Sequence, residues 1–426
     1  MTKTATTLMD KYTQLSGRVY ISSNQALVRL PMDQARRDRA NGLKTAGYIS
    51  GYRGSPLGVY DAALWAAQKL LDEHEITFEP GLNEELAATA VRGTQQLSWF
   101  GPSRYQGIFG LWYGKHVGVD RGGEAIKLGN MEGASATGGF LVLAGDDHGG
   151  KSSASAGQSE QQLIAAMVPT LYPATTDEIL EYGIAAWAMS RFSGAYVGMK
   201  CITDTLDLTA SVELPDFMRQ FEIPQVDMPP EGLNLSKQVS MYPLLMERIL
   251  TDFRVPAAEA FARVNGFDKV VIDSERRELG IVAAGKAYLD LRTAMNDLGL
   301  DEAKCRQLGI RLYKPGMIWP LEKQGATSFA LGHKAVLVVE EKRAVIEDQL
   351  ALHLYSAPAD MRPAIMGKKD LAGKSLLPDV GELSVALCRK ALYQAIKQTG
   401  IVDAEVEARY NTFHDLEGQA ILLTGS

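Results

Sequence analysis

The sequence predicts an α/β protein built on parallel sheet, on two alternations of strand and helix and on the breaker cluster that separates them. From Thr45 to about Cys201, the apolar, strand-sized runs Ala46–Gly51, Gly107–Tyr113, Gly139–Gly145 and Ala195–Cys201 alternate with helical patterns at Val59–His74, Glu84–Leu97 and Thr176–Arg191. This is the βαβ rhythm of a doubly wound parallel sheet. A second rhythm begins at Leu279-Gly-Ile-Val-Ala-Ala-Gly285 and continues through helix Lys286–Leu298, strand Ile310–Lys314, strand Ala335–Glu341 and helix Val345–Leu354. Between the two, Asp227-Met-Pro-Pro-Glu-Gly232 breaks the pattern, and the helical stretches Tyr242–Phe253 and Ala257–Val264 follow without a strand. The expected organisation is a first domain over 1–225, a connector over 226–274, a smaller α/β domain over 275–395 and a tail over 396–426. The tail ends in the apolar run Gly418–Ser426, which has no evident cap and reads as a chain that stops early.

Composition narrows the function classes. The chain is 46% hydrophobic and 22% charged, ordinary values for a globular protein, and its 44 basic and 51 acidic residues are interspersed, for a net charge of −7. An interspersed acidic balance argues against a nucleic-acid footprint. Cys201, Cys305 and Cys388 are far apart and form no CxxC, so neither a disulfide framework nor a cysteine-ligated cluster is readable, and a reducing cytoplasm is the expected compartment. Met1–Gly17 lacks an apolar signal-peptide core, and the longest apolar runs are strand-sized, which points away from secretion and from membrane spans.

Several motifs carry possible chemistry. Gly51-Tyr-Arg-Gly-Ser-Pro-Leu-Gly58 is a Gly/Pro turn at the end of a predicted strand, where the glycines permit tight backbone and Pro56 fixes φ. Arg53 and Ser55 in this turn suit a carboxylate-bearing substrate, with a surface ion pair as the alternative for Arg53. Asn83 is placed to cap a helix that opens with Glu84 and Glu85 and continues through the small residues Ala87-Ala88-Thr89-Ala90. A carboxylate at a helix start gains from the dipole, and one shielded by small residues can hold a heterocycle in a nearly dry site. Spacing does not separate Glu84 from Glu85. Lys115, in Trp112-Tyr-Gly-Lys-His-Val-Gly118, is a further polar-loop candidate for substrate contact.

Gly145-Asp-Asp-His-Gly-Gly-Lys-Ser152 satisfies the literal P-loop pattern and follows a predicted strand. As a phosphate cradle it is poor, because Asp146 and Asp147 would set two carboxylates beside the anion. The preferred reading is a polar ligand loop at the carboxyl end of a parallel strand, with a solvated turn as the alternative. No HExxH or GxSxG pattern supports a metalloprotease or a hydrolase.

Together these segments resemble the 2-oxoacid:ferredoxin oxidoreductases, and most closely the long, fused indolepyruvate ferredoxin oxidoreductase family. The matching segments are Thr45–Gly58, Asn83–Ala90, Trp112–Lys115, Gly118–Arg121, Gly145–His148, Lys151–Ser153, Gln158–Glu160 and Val338–Arg343. The resemblance implies a thiamine-diphosphate-binding fold of the pyrimidine type, a parallel sheet with flanking helices, followed by a transketolase C-terminal-like α/β domain. It implies that Glu84 is the catalytic and cofactor-binding glutamate, hydrogen-bonded to the aminopyrimidine of thiamine diphosphate, and that Ser55, with Arg53 and Lys115, faces substrate. The implied activity is oxidative decarboxylation of a 2-oxoacid, an indolepyruvate or other arylpyruvate, to acyl-coenzyme A with electrons passing to ferredoxin. The family's GDG…Asn segment for magnesium and diphosphate is absent, as is its cluster-ligating cysteine segment. The chain is therefore expected to be an N-terminal portion, inactive by itself, that needs a diphosphate-binding, iron–sulfur domain or subunit. Shared active sites in this family imply a homodimer or larger assembly. The rivals are a noncatalytic scaffold of the same fold and a P-loop NTPase.

Overall fold

The computed structural model describes residues 7–424, with side chains to residue 417. The polar segment at 1–6 and the side chains of the 418–426 apolar run lie outside the described residues. The chain divides into two compact units, Met1–Gly266 and Phe267–Ser426.

In the first unit the strands are β1 (Arg18–Ser22), β2 (Thr45–Gly51), β3 (Ile76–Phe78), β4 (Gly107–Lys115), β5 (Phe140–Asp146), β6 (Thr170–Leu171), β7 (Val197–Ile202) and β8 (Thr209–Glu213). They stand in the order β6-β7-β5-β4-β2-β3 with every pair parallel, while β1 and β8 form a separate antiparallel ribbon. Every residue of β5 and β7 is buried, which explains why these strands read as continuous apolar runs rather than alternating ones. The predicted helix Val59–His74 is interrupted at Ala67 into Tyr60–Ala66 and Gln68–Glu73.

Helix Ser23–Ala40 escapes the periodicity because Pro31 lies inside it and because Arg29, Asp33 and Asp38 are buried as ion pairs. Its start is a capping box, Ser22 with Gln25. It crosses helix Thr176–Ser193 where Gly183 faces Leu30, so closely that a Cβ at Gly183 would lie 2.1 Å from Leu30 Cδ2.

The stretch read as a connector belongs in good part to this unit. Helix Pro243–Ile249 passes through a π turn, Leu250–Arg254, into helix Val255–Val264. Arg254 is fully buried. Its Nε donates to the Leu233 carbonyl at 2.6 Å, Nη1 to Met131 at 2.7 Å and Nη2 to Glu132 at 2.9 Å, so it closes the C-terminus of helix Gly123–Glu132. Burial pulls the guanidinium down to about 10.

In the second unit, β9 (Lys269–Ile272), β10 (Leu279–Ala283), β11 (Ile310–Lys314), β13 (Ala335–Val339) and β14 (Ala364–Met366) follow the order β14-β13-β10-β11-β9, and β12 (Met317–Trp319) follows β11 in the chain. Only β9 is antiparallel in that series. The predicted strand to Glu341 stops at Val339. Glu340 turns in to accept N–H groups from Val345, Ile346 and Glu347, capping helix Ile346–Leu354, and Glu341 takes Lys286 Nζ at 3.2 Å.

The expected tail is helical. Helix Val385–Gln398 is followed by Ala404–Thr424, with Val406 buried in the core, Tyr410 stacked on Tyr393 at 3.8 Å, and Arg389 bridging Asp297 and Glu417. Among the described residues no helix is long and apolar enough to cross a membrane.

Replacing Arg254 by Met leaves three or more buried carbonyls without donors. Urea unfolding of the Arg254→Met chain is expected to show a loss of about 2–4 kcal/mol; a loss below about 0.5 kcal/mol would contradict this role.

Candidate functional site

Open parallel sheets collect ligands at the carboxyl ends of their strands. Here β2, β4 and β5 bring three loops to that edge, and the helix after β3 brings a carboxylate. The backbones of the β2 and β4 ends approach closely: Tyr52 N donates to the Tyr113 carbonyl at 3.1 Å, and a Cβ at Gly51 would lie 2.1 Å from that same oxygen. Only glycine fits there.

The turn after β2 then lies along its neighbours. Gly54 rests on the Lys115 side chain, where a Cβ would meet Cδ at 2.6 Å, and Pro56 and Leu57 lie against Gly145. Ser55 is half-buried. Arg53 is exposed, and no ion pair among the described residues engages it.

Glu84 is the first residue of helix Glu84–Gln95, and Asn83 caps the helix, its Oδ1 accepting from Leu86 N at 2.9 Å. The structure separates the two candidate glutamates: Glu84 is 8% exposed, whereas Glu85 faces solvent. The Glu84 backbone is held by Trp112, whose buried Nε1 donates to its carbonyl at 3.0 Å. Gly118 lies flat on the side chain, and a Cβ there would lie 2.6 Å from Glu84 Cγ and 3.0 Å from Oε1. The nearest cation is the exposed Arg121, with Nε 4.0 Å from Oε2, and among the described residues no hydrogen bond reaches the carboxylate. A buried carboxylate with unused acceptor capacity, walled by glycine, can exchange a proton or a hydrogen bond with a ligand placed against it.

Lys115 ends β4. Its Nζ donates to Ser153 Oγ at 3.0 Å and to the Ser152 carbonyl at 3.3 Å, joining it to the loop after β5. That loop contains the P-loop-like segment, and its geometry settles the motif. Lys151 N at 3.1 Å and Ser152 N at 2.8 Å both donate to the Asp147 carboxylate, which also accepts from Ser152 Oγ. The amides that would cradle a phosphate are thus engaged by the chain's own carboxylate, and no helix begins until Glu160. Backbone and side-chain donors outweigh the cost of burial and keep the Asp147 carboxyl below its ordinary range.

Behind the loop lies a charged cluster that sequence reasoning missed. Asp146, the last residue of β5, accepts from Ser159 N at 3.0 Å and from Ser159 Oγ at 2.5 Å. Lys200, buried in β7, donates to Glu160 and lies 3.6 Å from Asp146 Oδ2. His148 Nε2 is 3.7 Å from that same oxygen. Burial alone would raise the Asp146 carboxyl, but His148, Lys200 and Ser159 together hold it well below the usual range. Asp146, His148 and Glu160 are close enough to ligate a cation. Lys200 already supplies the positive charge there. The available signal was a lone lysine in the apolar strand Val197-Gly-Met-Lys-Cys-Ile202, a residue type that is almost never buried unless paired.

Comparison with known proteins yields relatives for both units. Residues 268–420 match the family model of the indolepyruvate ferredoxin oxidoreductase middle domain. The indolepyruvate oxidoreductase subunit IorA of Methanothermobacter marburgensis is 25% identical over 380 residues, which are 88% of this chain and 54% of the relative. The IorA subunit of Pyrococcus horikoshii is 23% identical over 412 residues, 94% of this chain and 56% of the relative. The chain thus spans about half the length of the curated relatives it matches. Among solved structures, the 2-oxoglutarate:ferredoxin oxidoreductase from Magnetococcus marinus, with 2-oxoglutarate, coenzyme A and succinyl-CoA bound, aligns with TM-score 0.60 and 12% identity over 89% of this chain and 66% of that one. An inactive β4 tetramer of a split-gene transketolase aligns with TM-score 0.51 and 14% identity over 88% of this chain and 98% of that one.

Since the loop amides are engaged by Asp147, calorimetric titration with magnesium–ATP is expected to show no saturable binding at micromolar concentrations, and Lys151→Ala is expected to change nothing. Micromolar affinity abolished by that substitution would restore the NTPase reading.

Proposed function

We propose, from the premise that the chain belongs to the indolepyruvate ferredoxin oxidoreductase family, that it contributes the pyrimidine-side half of a thiamine-diphosphate site acting on a 2-oxoacid of the indolepyruvate or arylpyruvate class. The observation that carries this reading is Glu84: buried, fixed by Trp112 and Asn83, with a carboxylate that no other described residue hydrogen-bonds. The fit to a flat aminopyrimidine rests on Gly118, where any side chain would occupy space beside the carboxylate, and on the buried, small Ala87 and Ala88 in the following turn. Thiamine diphosphate, when bound, supplies the carbanion chemistry of 2-oxoacid decarboxylation.

The chain's own residues orient and exchange protons. Glu84 holds a proton at the pyrimidine ring nitrogen, and its burial makes that hydrogen bond stronger than it would be in water. Ser55 offers a hydroxyl, and Lys115 and Arg53 offer positive charge for the carboxylate of the substrate. Of the three, Lys115 is the most firmly placed, through Ser152 and Ser153.

Magnesium and diphosphate binding, and the iron–sulfur centres that pass electrons to ferredoxin, are assigned to a second domain or subunit, with coenzyme A as acyl acceptor. No GDG…Asn segment and no clustered cysteines occur in this sequence to supply them, and all three cysteines are buried and apart. The working enzyme is then a cytoplasmic assembly of two or more copies, and this chain alone turns over nothing.

In the chain reconstituted with that second half, Glu84→Gln is expected to slow 2-oxoacid-dependent viologen reduction by about 10²–10⁴-fold with an unchanged melting temperature, while Glu85→Gln stays within about twofold of wild type. Exchange of the two outcomes would move the role to Glu85. No reduction in any combination of wild-type chains would leave the scaffold reading.

A further inference from the structure

We propose that Asp146, Ser159 and Lys200 form a buried latch that positions the 147–158 loop over Lys115, making them positioning residues for the substrate's carboxylate; this rests on the reading of Lys115 as a substrate contact.

Residues 147–158 contain no strand or helix, and Gly149, Lys151, Ser152, Ala154, Ser155 and Ala156 are exposed. A segment with so little buried apolar surface opens at low cost unless polar ties close it. Asp147 makes the internal ties: its carboxylate accepts the Lys151 and Ser152 amides, and its carbonyl accepts from Gly150 N at 3.1 Å and from Gly157 N at 3.2 Å. They fold the loop on itself without fixing it to the sheet.

The base is fixed by the latch. Ser159 N and Oγ both donate to Asp146, which joins the residue before the loop to the residue after it. Behind them one ammonium serves both ends, since Lys200 Nζ donates to Glu160 and lies 3.6 Å from Asp146. Lys200 is 2% exposed and its ammonium also lies 4.8 Å over the Tyr172 ring. Hydrogen bonds to buried charges are the strong class, and a buried lysine between two carboxylates is sustained by both of them.

The loop in turn holds two residues at the site. Ser152 and Ser153 take the Lys115 ammonium. Gly157 covers the His116 ring so closely that a Cβ there would lie 2.0 Å from Cγ. If the base opens, Lys115 loses both of these partners and His116 loses its cover. The latch therefore sets the direction of the Lys115 ammonium from a distance, without touching substrate.

Lys151 is the sole lysine or arginine between 147 and 158, so tryptic cleavage after it, identified by mass, reports loop opening in the chain alone. The variants are Ser159→Ala, which removes one hydroxyl, and the pair Lys200→Met with Glu160→Gln, which removes one charge of each sign. The control is Ser190→Ala, a buried serine that donates to the Ala195 carbonyl elsewhere in the unit. Both test variants are expected to accelerate cleavage after Lys151 by about tenfold or more, with the control at the wild-type rate. In the assembled enzyme, Ser159→Ala is expected to raise KM for phenylpyruvate about tenfold with kcat within about twofold. Wild-type cleavage rates in both test variants would overturn the latch. Faster cleavage with an unmoved KM would overturn its link to substrate. Full activity of Glu84→Gln would count against the thiamine-diphosphate reading alone and leave the cleavage result standing.

Discussion

Parallel, in-register pairing of β2, β4 and β5 is the constraint on which the site depends. Because the strands run the same way, their carboxyl ends fall on one edge, and register decides which residues meet there. Gly51 lies beside Tyr113, and Lys115 lies beside Gly145. The turn that follows Gly51 therefore has to pass over Lys115, and the loop that follows Asp146 has to start beside it. A shift by one residue would turn each of these side chains to the opposite face.

Charge burial is the second theme, and it is handled the same way in both units. Arg254, Lys200, Glu340 and Lys286 are all buried, and each is surrounded by carbonyls, amides or opposite charges. The desolvation of such groups is recovered only when their hydrogen-bonding capacity is filled. Glu84 differs from these four, since its carboxylate has no hydrogen-bond partner among the described residues. A carboxylate with unused acceptor capacity, walled by Gly118 at the carboxyl edge of the sheet, is the physical ground for proposing it as a ligand contact.

The Gly145–Ser152 segment shows how one pattern can serve opposite ends. A phosphate cradle needs free amides and a following helix, whereas here Asp147 occupies the amides and a helix is absent until Glu160. The two aspartates that made the motif look poor as a nucleotide site are the residues that shape the loop: Asp147 folds it and Asp146 fixes its base.

The sequence by itself determined the α/β class, the positions of most core strands, the Gly51–Gly58 turn and the helix opening at Asn83–Glu84, because these depend on local residue type and on short-range periodicity. The tertiary structure alone decided the rest. Helix Ser23–Ala40 was hidden because Pro31 and buried charged residues interrupt its apolar pattern, and one of those charges, Asp38, is paired with the sequence-distant Arg191. The 226–266 region joined the first unit through Arg254, whose acceptors lie more than a hundred residues away in the case of helix Gly123–Glu132. That Glu84 is buried while Glu85 faces solvent depended on which face of the helix meets Gly118. Lys200 became informative only when folding placed it between Asp146 and Glu160. Local patterns record what a residue does to its own backbone, while burial and charge pairing are properties of surfaces that folding brings together.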